Sequence, residues 1–529
     1  MFANNKYFQI LFPFMLILTA SLATGFIFQA LLQIGDFWNG FFASSLLTFI
    51  FGSLLFGAWV AAGRDRNLAW MILLAFILRF ALGIFLAWGL PQFGYPEPPQ
   101  QAGFVFEDPY RRERHAWHLA NSESSVLEAF KDVYETDQYG GILAFSALIY
   151  RILSPDAYRP ALISIAAAGA MALSVPIFTS VFRSRFNEKT VLWAGWILTL
   201  YPDGILLGSA QMREPFIILS LSLMMWAIVQ LLDQKKLRRS ILVLILAGSG
   251  LFLLSYRVAL PLFVVLLLWV WSDLSTRVKE HSWIKMTGWL LLLFAALASF
   301  WFWGDWVSSV IHWDTLQTVR RSGMVQFILD FLPDWADFPF VLTYGFFQPV
   351  LPAAIAAPAP WIWKSLGIFR ALGWYALMPL LAYTVVRAWR LEPSHKKRLL
   401  ILMALLAWVW VFIASARAGG DQWDNPRYRT IFLPWMALVG GWAIQFAHKT
   451  RDAWLSRIFI IEGVFLAVIT TWYLGRYVQA IPRIGFGVMV LLVLVLSGLV
   501  IVLGWLKDRG WLGLVTSAKA TPDEKSSNQ

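Results

Sequence analysis

QYGGILAFSALIYRIL, residues 138–153, is the stretch on which the topology turns. It is apolar enough to enter a membrane. If it crossed, every later basic loop would change sides. Alternating loops carry Arg64 and Arg66; Arg183, Arg185 and Lys189; Lys235, Lys236, Arg238 and Arg239; Arg277, Lys279 and Lys285; Arg387, Arg390, Lys396, Lys397 and Arg398; then Lys449, Arg451 and Arg457. All share one face when 138–153 does not cross. Lys and Arg in short loops mark the cytoplasmic face. The stretch is therefore read as an interfacial or re-entrant helix of a long outer loop. Both termini are expected in the cytoplasm, with the chain in the cytoplasmic (inner) membrane of a cell.

Outward from it, apolar runs predict spans near 8–34, 37–61, 69–90, 158–182, 190–209, 213–232, 239–254, 258–272, 286–303, 366–388, 399–416, 430–447, 458–475 and 484–506. The expected fold is an all-α, polytopic transmembrane helical bundle of about fourteen spans, with short juxtamembrane helices on the outer loop. Composition agrees. Of 529 residues, 59% are hydrophobic and 14% charged, too little charge to cover a soluble protein. Many of the 30 Trp lie near the ends of apolar runs, where helices meet lipid headgroups. Residues 8–34 are too long for a signal-peptide core and read as a first span. Without Cys, disulfides, thiolate metal sites and Cys nucleophiles are excluded. The net charge of +12 sits in short loops, which argues for membrane lipids and against nucleic acid as partner. Two large outer pieces are expected, 91–157 and 304–365, with a smaller one at 417–429. Residues 516–529 read as a disordered cytoplasmic tail. No Walker loop, dinucleotide fingerprint, HExxH motif, Ser-His-Asp arrangement or internal repeat is evident.

Glu107-Asp108 opens the charged stretch EDPYRRERHAWHLA. Followed by Pro109, the pair suits a helix start, where the dipole favours carboxylates. The bland reading is a solvated capping pair. The sharper one is a general base for an acceptor hydroxyl, or a ligand pair for a divalent cation. Arg213 and Glu214 begin a span beside Pro215, either as an interfacial charge pair or as the wall of an active site. Arg427 and Arg429 flank Tyr428 at an outer span mouth. They suit lipid-headgroup anchoring, or phosphate binding through forked guanidinium donors. Arg257, Arg320 and Arg321 are weaker candidates of that kind. His115 and His118 are spaced to meet on a helix, but a third zinc ligand is not obvious. Arg79, inside the third span, is expected to face protein.

The ordered motifs resemble the GT-C superfamily of membrane glycosyltransferases, in particular bacterial relatives of protein O-mannosyltransferases and aminoarabinose transferases. Leu78-Arg79-Phe80 ends an apolar run, and Asp108-x-x-x-Arg112-x-x-x-Ala116 follows, with Arg112 where the group tends to carry Tyr. Glu107-Asp108 stands where mannosyltransferases tend to show Asp-Glu. The helix-like 138–153, the Arg213-Glu214 pair and RYRTIFLPWMAL (427–438) continue the order. The likeness covers 69–447 as the catalytic module. It leaves 1–68 as two additional spans and 448–515 as C-terminal spans.

The resemblance implies an inverting transfer of a sugar from a polyprenyl-phosphate donor to a lipid, glycan or protein acceptor. Asp108 would act as base and Glu107 as its support or as a metal ligand. Arg213, Glu214 and His115 would line the site, and Arg427, Tyr428 and Arg429 would hold the phosphate. On this reading Asp108, Glu214 and Arg427 must meet. The alternatives are an O-antigen ligase or polymerase resting on outer-loop Arg and His, and a lipid-linked glycan transporter or flippase, which needs ionisable groups deep in the bilayer.

Overall fold

The computed structural model describes all residues except 1–5, 132–139, 276–282, 284, 300–328, 393, 479–480 and 510–529. Among the described residues there are helices and no strand. The chain begins with α1 (Lys6–Leu32), α2 (Phe37–Ala61) and α3 (Arg66–Phe93). A loop follows with three short helices, α4 (Pro98–Gln101), α5 (Glu107–Ala120) and α6 (Gly141–Leu153). Next come α7 (Ala161–Phe182), α8 (Glu188–Leu200), α9 (Pro202–Ser209), α10 (Glu214–Leu232), α11 (Leu237–Leu254) and α12 (Tyr256–Leu274). Beyond them lie α13 (Lys285–Ser299), α14 (Asp337–Phe346), α15 (Leu351–Ala356), α16 (Trp361–Trp389) and α17 (His395–Ala418). The last are α18 (Asp424–Thr430), α19 (Leu433–Thr450), α20 (Ala453–Tyr477) and α21 (Phe486–Asp508).

Among the described residues, eleven helices are long and apolar enough to cross a membrane. Two bent pairs, α8 with α9 at 49° and α18 with α19 at 74°, raise the number to thirteen. The chain is a multi-pass membrane protein. The fourteen expected spans thus become eleven single helices, two broken ones and the shorter α13. Arg320, Arg321 and the 516–529 tail lie outside the described residues.

Ion pairs at the helix ends sort the bundle into two ends. Arg183 reaches the α2–α3 turn, through Asp65 at 3.8 Å and the Ala62 carbonyl at 3.0 Å. Arg159 reaches the α1–α2 turn, through the carbonyls of Ile34 at 2.9 Å and Asp36 at 2.8 Å. Helix α7 runs between these two arginines. Its start and the end of α3 therefore lie at the same end, and the loop between them returns without crossing. The amphipathic α6 belongs to that loop. It packs on α5, and its Gly141 lies against the Leu253 carbonyl at the close of α11.

Arg159 owes its place to Asp156, which chelates the guanidinium with both oxygens at 2.7 Å. Those hydrogen bonds hold the Asp156 carboxyl down to about 2. Helix α7 forms the centre of the bundle, almost wholly buried, because its AAAGAMA run lets neighbouring backbones approach closely. At the periphery, α21 exposes Leu, Val and Ile on most sides, as a lipid-facing helix must.

The break between α8 and α9 shows how a buried charge serves the backbone. Pro202 has no N–H for the Leu198 carbonyl, so an α-helical hydrogen bond is missing inside the bundle. An unsatisfied carbonyl there costs several kcal/mol in a lipid setting. Arg79 repairs it. The fully buried guanidinium donates to the carbonyls of Leu198 at 3.2 Å and Thr199 at 3.1 Å, and to Gly204 at 3.2 Å. The stem of Arg79 reaches the break only because Gly208 has no side chain: a Cβ there would stand 2.6 Å from Arg79 Cδ. Replacing Gly208→Ala should lower Tm in detergent, with a loss of about 1–3 kcal/mol for overpacking. Gly463→Ala, where a Cβ meets nothing within 4 Å, should be neutral or slightly stabilising. Equal melting of the two variants would contradict this role for Arg79.

Candidate functional site

The three groups that had to meet do so at the loop end of the bundle. Arg427, on α18, is the centre. Its Nε donates to Glu214 Oε1 at 2.6 Å, and its Nη1 donates to Asp108 Oδ2 at 3.0 Å and to Asp424 Oδ1 at 3.2 Å. Among the described residues, its Nη2 makes no hydrogen bond. Asp108 comes from the loop helix α5, Glu214 opens α10, and Asp424 lies one turn before Arg427 on α18. Arg427 and Glu214 are buried, whereas the Asp108 side chain is 52% exposed. One guanidinium thus ties a solvent-facing carboxylate to the bundle interior across 319 residues of chain.

Each side chain arrives by a local cause. α5 starts at Glu107, so Glu107 and Asp108 occupy its first turn, where free N–H groups favour negative charge. Pro215 in the first turn of α10 fixes Glu214 as that helix's first residue. The 74° bend between α18 and α19 turns Arg427 back toward the loop.

α5 is itself held by a buried knot. Glu113 accepts hydrogen bonds from Tyr150 at 2.7 Å, Ser146 at 3.0 Å and Arg112 at 3.1 Å. Arg112 also donates to the Gln211 carbonyl. This joins α5 to α6 and to the turn between α9 and α10. Burial pushes the Glu113 carboxyl up, against the opposing pull of Arg112 and the two hydroxyls. Asp108 behaves oppositely. Burial would raise it, but Arg427, Arg213 and Arg112 together hold it below its usual value. Asp108 is accordingly a carboxylate at neutral pH.

The other expected site residues divide. Arg213 stands beside Glu214, with Nε 3.8 Å from Oε1. The Tyr428 ring lies 5.5 Å from both the Arg427 and Arg417 guanidinium carbons. His115 sits two turns along α5 from Asp108, its imidazole lowered by burial and by His118 and Arg114. Arg429 does not join Arg427. Residues two apart on a helix point to nearly opposite sides. The buried Arg429 instead donates to the Gln348 carbonyl at 2.9 Å and lies 3.5 Å over the Trp374 ring. Arg257, at the start of α12, lies 5.8 Å from the Tyr256 ring and is not part of the Arg427 set.

A divalent cation does not fit Glu107 and Asp108. Both face Arg111, at 3.6 and 3.8 Å, and Asp108 also faces Arg427. Among the described residues no three His, Asp or Glu side chains gather as a ligand set. Hard cations need several oxygen ligands, not guanidinium neighbours.

Two features were missed in the sequence. Asp424 precedes Arg427 by three, a helical ion-pair spacing that was legible. The second is a buried pair, Arg370 Nε to Asp203 Oδ1 at 2.5 Å, with the guanidinium 4.4 Å from the Trp423 ring. It joins α9 to α16 across 167 residues, and no local spacing announces it. No protein-family model matches the chain, and no curated protein matches it either.

Removing Arg427 would leave the buried Glu214 with only the more distant Arg213, at 3.8 Å, a loss of up to about 3–5 kcal/mol. Arg427→Gln should therefore lower Tm strongly, and adding Glu214→Gln should recover part of the loss. Additive losses in this double-mutant cycle would show that the pair does not couple.

Proposed function

We propose that this protein is a membrane glycosyltransferase that moves a sugar from a polyprenyl-phosphate donor to an acceptor hydroxyl at the outer face of the cytoplasmic membrane. The observation that carries the reading is Asp108: an ionised, half-exposed carboxylate held 3.0 Å from a buried arginine at the membrane boundary. The motif order resembling the GT-C superfamily supplies the chemistry. The acceptor hydroxyl belongs to a lipid, a glycan or a protein, and the chemistry at Asp108 is the same for each.

In the transfer, the acceptor oxygen attacks the anomeric carbon from the face opposite the phosphate. The bond from that carbon to the phosphate oxygen breaks, and polyprenyl phosphate leaves with the electron pair. Configuration inverts. The acceptor proton passes to Asp108. A carboxylate held below its usual pKa is a weak base, so it orients the hydroxyl first. It takes the proton once bond formation has made the oxygen acidic. Arg427 Nη2, Arg213 and the exposed Arg111 face the charge that develops on the leaving phosphate. Arg427 has a second task as the positioning residue of Asp108.

The donor's apolar chain is assigned to a cleft on the helix that carries Glu214. A cleft of about 570 Å³ lies between α6, α10 and α11, lined by Phe145, Phe216, Leu223, Leu246 and Leu253 among others. Phe216 follows Glu214 by two residues on α10, so the apolar cleft and the charged site share that helix on different sides of it.

Asp108→Asn should cut sugar transfer from a lipid-linked donor by about 10²-fold or more in membranes, while Tm changes little because the side chain is half exposed. Wild-type transfer by a folded Asp108→Asn protein would refute the catalytic role. The buried Asp203–Arg370 pair favours one other reading, passage of a lipid-linked glycan through the bundle. Donor appearing on the far side of a proteoliposome without covalent change would establish that reading instead.

A further inference from the structure

The end of the bundle away from Asp108 holds a second polar cleft, of about 530 Å³, where α16, α19, α20 and α21 converge. Its charged lining is Arg387, Arg390, Arg451, Asp452 and Asp508. The two carboxylates are already committed. Asp452 takes Arg387 at 2.5 Å and the Tyr383 hydroxyl at 2.8 Å. Asp508 takes Arg457 through both oxygens, at 2.6 and 2.7 Å, and the Trp454 indole at 2.8 Å. Among the described residues, no carboxylate lies within ion-pair distance of Arg390 or Arg451.

Both of these arginines cap helix C-termini, those of α16 and α19. That accounts for only part of their charge. A helix end carries about half a negative charge. Two ends against two guanidiniums leave roughly one positive charge in the cleft. Arg390 and Arg451 are exposed, while the Arg387–Asp452 and Arg457–Asp508 pairs fix the walls around them.

We propose that this cleft binds a phosphate ester, one phosphoryl group bridging Arg390 and Arg451. Guanidinium forks match phosphate oxygens, and a monoanionic phosphodiester meets the residual charge. The basic loops place this end toward the cytoplasm, where anionic phospholipid headgroups and soluble phosphates both offer that chemistry. The proposal does not depend on the glycosyltransferase reading.

The test uses the full chain in neutral detergent, titrated separately with phosphatidylglycerol, phosphatidylcholine and inorganic phosphate, reading Tm and apparent Kd. A saturable rise in Tm is expected, with Kd weakened about tenfold in Arg390→Gln/Arg451→Asn. It should be unchanged in Arg66→Gln/Lys189→Gln, which removes two exposed charges from the same end outside the cleft. A response to phosphatidylglycerol alone assigns the site to lipid; a response to inorganic phosphate assigns it to a soluble ester. If the first variant does not fold, Arg390→Gln alone should show a loss of about threefold. Equal binding by the cleft and control variants, or no saturable response to any ligand, would overturn the proposal.

Discussion

A guanidinium cannot stay buried in a membrane bundle without anions or carbonyl acceptors around it, and Arg427 meets that constraint with three carboxylates from three parts of the chain. Desolvating a charge costs several kcal/mol, so the partners have to be in place when the fold closes. This requirement draws the loop helix α5 onto the bundle. It also makes the loop part of a site instead of a surface feature. The Glu113 knot then fixes the angle at which α5 arrives. Asp108 and Asp424 are left half exposed, while Glu214 is held from below.

The same rule governs the rest of the bundle. Arg79 answers the carbonyls that Pro202 leaves open, and Arg159 closes the α1–α2 turn. Arg370 and Asp203 answer each other. Each buried arginine sits where the backbone is broken, turned or crossed by another charged chain. Function follows from how far the answer is complete. Arg79 is consumed by carbonyls and is structural. Arg427 keeps one donor nitrogen, and Asp108 keeps an open face.

Much of this was legible in residue order. Apolar runs predicted the helices, and basic loops predicted that 138–153 would not cross. Glu107-Asp108-Pro109 marked the start of α5, and the placement of Arg79 against protein followed from the cost of charge in lipid. What could not be read was pairing at long range. Arg427 and Arg429 look equivalent in the sequence, yet helical geometry sends them to different neighbours. The broken spans were hidden because α8 and α9 form one continuous apolar run, and Pro202 alone does not show how its missing bond is replaced. Nothing within EDPYRRERHAWHLA sets Glu113 apart, because its partners Tyr150 and Ser146 come from α6.

The central claim is that Asp108 of the loop docks beside α18. The chain has no Cys, so Asp108→Cys/Asp424→Cys carries a single thiol pair. The two native carboxylates meet the same nitrogen of Arg427, at 3.0 and 3.2 Å, and Glu214 remains to hold it. Treatment with a thiol cross-linker spanning about 5–8 Å should join the loop peptide to the α18 peptide, read by mass spectrometry after proteolysis. Two singly modified peptides with no joined product, in protein that remains folded, would contradict the account.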